Sequence, residues 1–178
     1  MQACEKGPKR LGVVGTLVWD TIRHRDARSE PVEEWGGIAY ALSALEAALP
    51  AEWELVPIVK IGSDLSEEAW RFLRDLPRMD VETGIRIVPE PSNRVELVYS
   101  GNERHSERLT GGVPPWLWAE LGPLVGTCDA LYINFISGFE MELDTARALR
   151  SAFPGPTYAD LHSLFLGLAR SGMRIPQE

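Results

Sequence analysis

Two cysteines in 178 residues, Cys4 and Cys128, are too few and too far apart to build a disulfide framework or a zinc site, and they fit a reduced, cytoplasmic chain. No run approaches the ~18 apolar residues of a membrane span. The stretch Met1 to Arg10 is polar and charged, without the apolar core of a secretion signal. The three histidines, His24, His105 and His162, lie in unrelated segments with no HxH or HExxH spacing, so Asp160-Leu161-His162 is not read as a metal site. No GxSxG elbow occurs, and Ser137-Gly138 lacks the glycine two places earlier and an obvious histidine partner, which argues against a serine hydrolase. Positive charge is also scarce: 18 Lys and Arg against 26 Asp and Glu give a net charge of -8. That balance argues against nucleic acid and anionic membrane as partners, because both demand a cationic face. The densest basic stretch, Arg23 to Arg28, is diluted by Asp26 and reads as a solvated strand or loop.

What is present is a normal globular composition, 44% hydrophobic and 25% charged, in a length that suits one domain. No internal repeat, low-complexity tract or long Pro/Gly/Ser linker divides it, so residues 1–178 are taken as a single domain. Leu11-Gly12-Val13-Val14-Gly15 reads as a buried first strand. Gly12 and Gly15 lack the third glycine and immediate helix of a dinucleotide fingerprint, so no such cofactor site is read there. The alternation from Thr16 to Ile22 predicts an exposed antiparallel strand leaving the main sheet. Glu54 to Ile61 reads as the next buried strand, with a helix after Ser66-Glu67-Glu68 that ends near Leu76. Asp64 is read as the N-cap of that helix.

From Val81 to Thr110 the pattern shifts to short alternating runs, Thr83 to Val88 and Asn93 to Tyr99, which read as hairpin strands with one wet face. A helix around Trp116 to Leu121, a buried strand from Ala130 to Phe135, a helix from about Leu143 to Phe153 and a strand end at Thr157 to Asp160 then restore the α/β alternation. Segments 16–35 and 82–110 are expected to pair into a small sheet beside the main one.

The pivot of the chain is Glu34-Trp35-Gly36-Gly37, which passes directly into an Ala- and Leu-rich helix from Ile38 to Leu49, stopped by Pro50. Two glycines at a helix start remove both Cβ atoms and let a ligand approach bare N–H groups, although they also suit the plain end of a strand.

Taken in order, these features resemble the ribokinase/PfkB family of carbohydrate kinases over nearly the whole chain. The motifs are Gly15 with Asp20 five residues on, Trp35-Gly36-Gly37 before the helix, Val59-Lys60-Ile61-Gly62-Ser63-Asp64, Ile136-Ser137-Gly138 and Asp160. The resemblance implies a Rossmann-like, ribokinase-type αβα core, C-terminally incomplete, with a small β-sheet lid over a sugar site. It also implies ATP and Mg²⁺ as cofactors, a sugar or sugar-like substrate, and a homodimer through the lid strands.

A strand-end aspartate accepts hydrogen bonds from neighbouring sugar hydroxyls, the role that the resemblance implies for Asp20, though a surface turn also fits it. Gly36 and Gly37 would offer backbone donors. Asn93, Arg94 and Tyr99 lie where lid strands of the family reach the substrate, and Asn134 lies on the strand before Ser137. An arginine on an exposed strand is also simply a solvated residue. Ser43 falls near the place where the family commonly carries Asn, and Ile136 stands where ribokinases often carry a carboxylate, so ribose itself is not implied. The family's Gly-Ala-Gly-Asp-like turn, with its general-base aspartate, does not occur in these 178 residues. The base and most of the ATP site are therefore expected in an absent C-terminal segment, which makes the chain a truncated kinase or one piece of a split one with a separate C-terminal half, and this chain alone is expected to be inactive. A non-catalytic sugar-binding or dimerisation module is the second reading.

Overall fold

The computed structural model describes residues 7–25, 30–162 and 164–176. Cys4 and the Arg23–Arg28 stretch from position 26 onward lie outside the described residues. In chain order the elements are β1 (Lys9–Val14), β2 (Leu17–His24), β3 (Val32–Gly37), α1 (Ile38–Ala48), β4 (Trp53–Gly62), a 3-10 turn (Ser63–Leu65), α2 (Ser66–Arg74), β5 (Ile85–Val88), β6 (Arg94–Ser100), β7 (Glu103–Thr110), α3 (Trp118–Val125), β8 (Ala130–Asn134), α4 (Leu143–Ala152), β9 (Thr157–Asp160), β10 (Leu166–Leu168) and β11 (Arg174–Pro176).

Five strands pair in parallel in the order β5-β4-β1-β8-β9. Parallel strands are covered on both faces, which is why β1 and β4 are apolar at consecutive positions rather than at every second one. Successive side chains go to opposite layers. Leu11, Val13, Leu55 and Val59 pack with Ile38 and Leu42 of α1 and Ala69 and Leu73 of α2. Val14, Val56 and Ile58 pack with Leu121 and Leu124 of α3 and Leu149 of α4. The result is a three-layer αβα core. Leu42 is fully buried in it, and truncating such a side chain to Ala costs about 2–5 kcal/mol.

A second, four-stranded sheet has the order β3-β2-β6-β7, with β2 antiparallel to β3 and parallel to β6, and β6 antiparallel to β7. The short β10–β11 hairpin lies against β7, where the Leu109 N–H donates to the Gly172 carbonyl at 2.8 Å and Arg108 Nε to the Ser171 carbonyl at 3.1 Å.

Several local expectations need correction. Ile85–Val88 is not a hairpin strand of the smaller sheet but the edge of the parallel one, paired with Val59 to Gly62. Ile85 is buried, whereas Arg86 and Ile87 are both exposed, as suits a short strand at the sheet edge. The strand at Thr16 to Ile22 is not exposed, since Leu17, Val18 and Asp20 are buried. Asp64 does not cap α2. It accepts instead from the Ser92 N–H at 2.8 Å and from Arg94 Nη2 at 2.6 Å. The helix expected from Trp116 begins at Trp118, because Trp116 is buried in a bridge to Met141 while the Leu117 N–H donates to Glu120 Oε2 at 3.1 Å.

Candidate functional site

The site grows from the register of the four-stranded sheet. Cross-strand pairing sets Glu34, Asp20, Val95 and Leu109 in one row, and Ile22, Leu97 and Glu107 in the next. All of these side chains share a face, because the strand period is two. Strict alternation along β7 would bring His105 next onto that face. A bulge between Val98 and Tyr99 shifts the register and places Arg104 opposite Tyr99 instead.

Beneath this face lies a cavity of about 240 Å³. Its roof is Val18, Asp20, Ile22, Val95, Leu97, Tyr99, Arg104, Glu107 and Leu109 of the smaller sheet. Its floor is Gly37 and Tyr40 at the start of α1, Ile136 and Ser137 after β8, His162, and Arg174 from β11.

Asp20 is the chemically distinctive group. Only 8% exposed, it faces the cavity, and among the described residues no donor reaches its carboxylate. Burial, then the charges of Glu34 and Glu107, push its pKa up to about 6, with Arg104 pulling the other way. The di-glycine explains how it fits. A Cβ on Gly36 would collide with the Asp20 carboxylate, and Gly37, at φ 64°, would bring a Cβ within 2.6 Å of the Thr16 carbonyl. The strand thus turns into α1 without side chains, and the Ile38 N–H donates to Thr16 O at 3.1 Å.

Opposite Asp20 the charges are paired. Glu107 Oε2 accepts from Arg104 Nη1 at 2.7 Å, and its Oε1 lies 3.8 Å from Arg174 Nε. Arg174 Nη1 also donates to the Ser137 carbonyl at 2.9 Å, so the hairpin is tied to the loop after β8. That loop is fixed from below. Buried Glu140 accepts from the Ser137 N–H at 2.7 Å, Ser137 Oγ at 2.8 Å and the Gly138 N–H at 3.0 Å, while Ser137 Oγ accepts from the Phe139 N–H. At the mouth, Tyr40 donates its hydroxyl to Glu34 Oε1 at 2.9 Å. Burial first, then that bond and the charge of Glu34, push its pKa up to about 12.

Of the residues singled out in the sequence, Asp20, Gly37 and Tyr99 line this cavity, with Gly36 packed directly behind Asp20. The others are placed elsewhere. Asn93 borders a neighbouring groove of about 600 Å³ with Gly111, Gly112 and Phe139. Arg94 is held by Asp64, and Asn134 donates to Asp160 Oδ2 at 3.1 Å at the ends of β8 and β9. Arg104, Glu107, Tyr40 and Arg174 were not foreseen. Glu103-Arg104-His105-Ser106-Glu107-Arg108 has the composition of a solvated strand, and nothing local marks the bulge or the return of the hairpin.

No protein-family model matches this sequence, and no curated protein matches it. Solved structures do match. A pyrophosphate-dependent kinase in the ribokinase family, complexed with a pyrophosphate analog and myo-inositol, aligns at TM-score 0.66 and 17% identity over 94% of this chain and 54% of its own. Ribokinase from Cryptococcus neoformans var. grubii serotype A, in complex with ADP, aligns at 0.59 and 17% over 87% and 51%. The Burkholderia thailandensis nucleoside kinase in complex with inosine aligns at 0.58 and 14% over 85% and 52%. The fold is that of the ribokinase-family kinases. The chain spans about half the length of these structures. Within the ribokinase-type fold, the parallel sheet is the αβα core, and the cavity lies between it and the smaller sheet.

Neither the cavity nor the neighbouring groove is fitted to ATP or Mg²⁺. Among the described residues no cluster of three His, Cys, Asp or Glu side chains is arranged to hold a metal ion. The cavity, at about 240 Å³, is smaller than the about 300–1,000 Å³ of drug-sized sites, and its two arginines face Glu107 rather than standing open to a phosphate. The neighbouring groove, among the described residues, has no lysine or arginine on its lining to meet a triphosphate.

Proposed function

We propose that this chain supplies the substrate-binding part and lid of an ATP-dependent phosphotransferase acting on a hydroxyl of a sugar or sugar-like molecule. The observation that carries the reading is Asp20. A buried carboxylate without a protein donor is costly. Vicinal ligand hydroxyls would supply the missing hydrogen bonds and recover that cost. Apolar side chains from β2 and β6 would cover the carbon face of such a ligand, and Tyr99 would close one side.

In this reading Gly36 keeps Asp20 seated, and Gly37 brings bare backbone to the ligand. Asn93, Arg94 and Asn134 act outside the cavity, holding the two sheets and the strand ends in place. The half-length match and the lack of a Gly-Ala-Gly-Asp-like turn in the 178 residues support assigning the general base and the donor site to residues outside these 178. ATP is the proposed donor on the ADP complex of one structural neighbour, with Mg²⁺ as its companion ion; no step is drawn through either. The edges of the smaller sheet, β3 with exposed Val32 among them, are the proposed homodimer contact in a cytoplasmic protein.

The test is isothermal titration of the 178-residue chain with neutral sugars, polyols and nucleosides, alongside product assays with ATP and with pyrophosphate. Binding of a polyol that Asp20→Asn abolishes, without product, supports the reading. Turnover by this chain alone would overturn the division of labour. Failure to bind any member would overturn the site. A longer polypeptide that carries the catalytic turn, binds sugar and still transfers no phosphoryl group would favour a non-catalytic binding or dimerisation module.

A further inference from the structure

The cavity contains two guanidinium groups, yet it is not built to take an anion. Arg104 and Arg174 arrive from different elements, β7 and the β10–β11 hairpin, and both meet one carboxylate, Glu107, at 2.7 Å and 3.8 Å. The Arg174 side chain is 2% exposed and also donates to the Ser137 carbonyl. Its Nη1 and Nε are thus directed at protein acceptors. Without Glu107, the same two guanidiniums would converge on the cavity as a ready site for a phosphate or carboxylate. With it, the lining carries Asp20 and Glu107 against Arg104 and Arg174, with His162 as the remaining basic side chain, and Glu34 adds a further negative charge close enough to act on Asp20.

Resting on the polyol-site reading above, we infer that Glu107 makes this cavity selective for uncharged, monosaccharide-sized polyols and closes it to phosphorylated or carboxylated sugars. An anionic ligand entering here would sit beside Asp20, which no described residue neutralises by contact, and would meet cations already committed to Glu107. Juxtaposing like charges in a desolvated site is strongly unfavourable. A neutral polyol avoids that penalty, and its hydroxyls serve both sides of the cavity. They donate to Asp20 and can accept from whichever guanidinium N–H groups face inward. The volume of about 240 Å³ suits a ring bearing hydroxyls.

Matched pairs isolate charge from shape. The 178-residue chain is titrated with D-ribose and D-ribose 5-phosphate, with myo-inositol and an inositol monophosphate, and with D-glucose and D-gluconate. The expected result is that the neutral member of the binding pair is preferred by on the order of a hundredfold. Glu107→Gln, nearly equal in shape, should narrow that ratio by about tenfold or more because it leaves two guanidiniums short of a countercharge. Arg104→Gln is the reciprocal variant at a half-exposed position, and it should widen the ratio. Equal or tighter binding of a phosphorylated member by the unaltered chain overturns the inference while leaving the polyol site standing. An unchanged ratio in folded Glu107→Gln, checked by circular dichroism, also overturns it. Binding of no member of any pair removes the underlying site reading instead.

Discussion

Arg94 donates to Asp64 across 2.6 Å, and through that pair the start of β6 in the smaller sheet is fastened to the turn that leaves β4 in the parallel one. The same carboxylate accepts the Ser92 N–H, whose residue is buried. Burial pushes the Asp64 pKa up, but the bonds from Ser92 and Arg94 outweigh it and hold the group below the ordinary carboxylate range. Asp64→Ala should therefore cost about 1–2 kcal/mol, mostly through the stranded Ser92 N–H, since a half-exposed ion pair contributes little. The depressed pKa makes this contribution fully present above the unfolded value near about 4, and lost as pH falls through the folded one. Urea melts of the variant and parent at pH 7 and pH 3 check both parts: a difference at pH 7 that shrinks at pH 3.

Asp20 carries the opposite sign. Its pKa is raised to about 6, so its linkage term favours the folded state fully below the unfolded value of 3.8 and fades as pH rises through about 6. Replacing it with Asn should stabilise the chain at pH 7.5 by on the order of 1–2 kcal/mol while removing polyol affinity. For the unaltered chain, only about a tenth of the carboxylate is ionised at pH 5, so polyol affinity should rise roughly tenfold from pH 5 to pH 7. A flat affinity profile over that range would show that Asp20 is not the acceptor.

Gly36 offers a steric test of the same group. Its missing Cβ is what leaves room for the Asp20 carboxylate, so Gly36→Ala must displace that side chain or part β3 from β2. The expected cost is about 1–3 kcal/mol of stability, as for overpacking in a core. Polyol affinity should fall with it. Gly36→Ala combined with Asp20→Gly should recover much of the stability but none of the binding. Thermal melts and titrations of the single and double variants decide, and additive stability losses would count against the contact.

The core was legible because its signals are local. Buried runs such as Leu11 to Val14, an Ala-rich helix after two glycines, and the return of strand and helix after Pro115 each describe a single element. Ile85–Val88 was misplaced because four alternating residues look alike at the edge of either sheet. The site was half legible for a related reason. Asp20 and Gly37 are held by short-range geometry, whereas Arg104 reaches the cavity through a bulge and Arg174 through a hairpin more than 60 positions away from its partner Glu107. Asp64 was misread because the donors to its carboxylate, Ser92 in the loop before β6 and Arg94 at the start of β6, lie 28 and 30 positions away.

Glu140 shows how the cavity floor depends on a residue that never touches the ligand space. Only 3% exposed, it gathers three donors from Ser137 and Gly138, and so sets the backbone that presents Ile136 and Ser137 to the cavity and the Ser137 carbonyl to Arg174. In Glu140→Gln one of those acceptors becomes an NH₂ group that faces an N–H, so at least one buried donor loses its partner. The expected loss is about 2–3 kcal/mol of stability. Because the displaced loop also carries the Arg174 anchor, polyol affinity should fall together with protection of the 166–176 hairpin against amide exchange. Glu140→Gln that destabilises the chain yet leaves hairpin exchange unchanged would confine Glu140 to the core and break the proposed chain from Glu140 through Ser137 to Arg174.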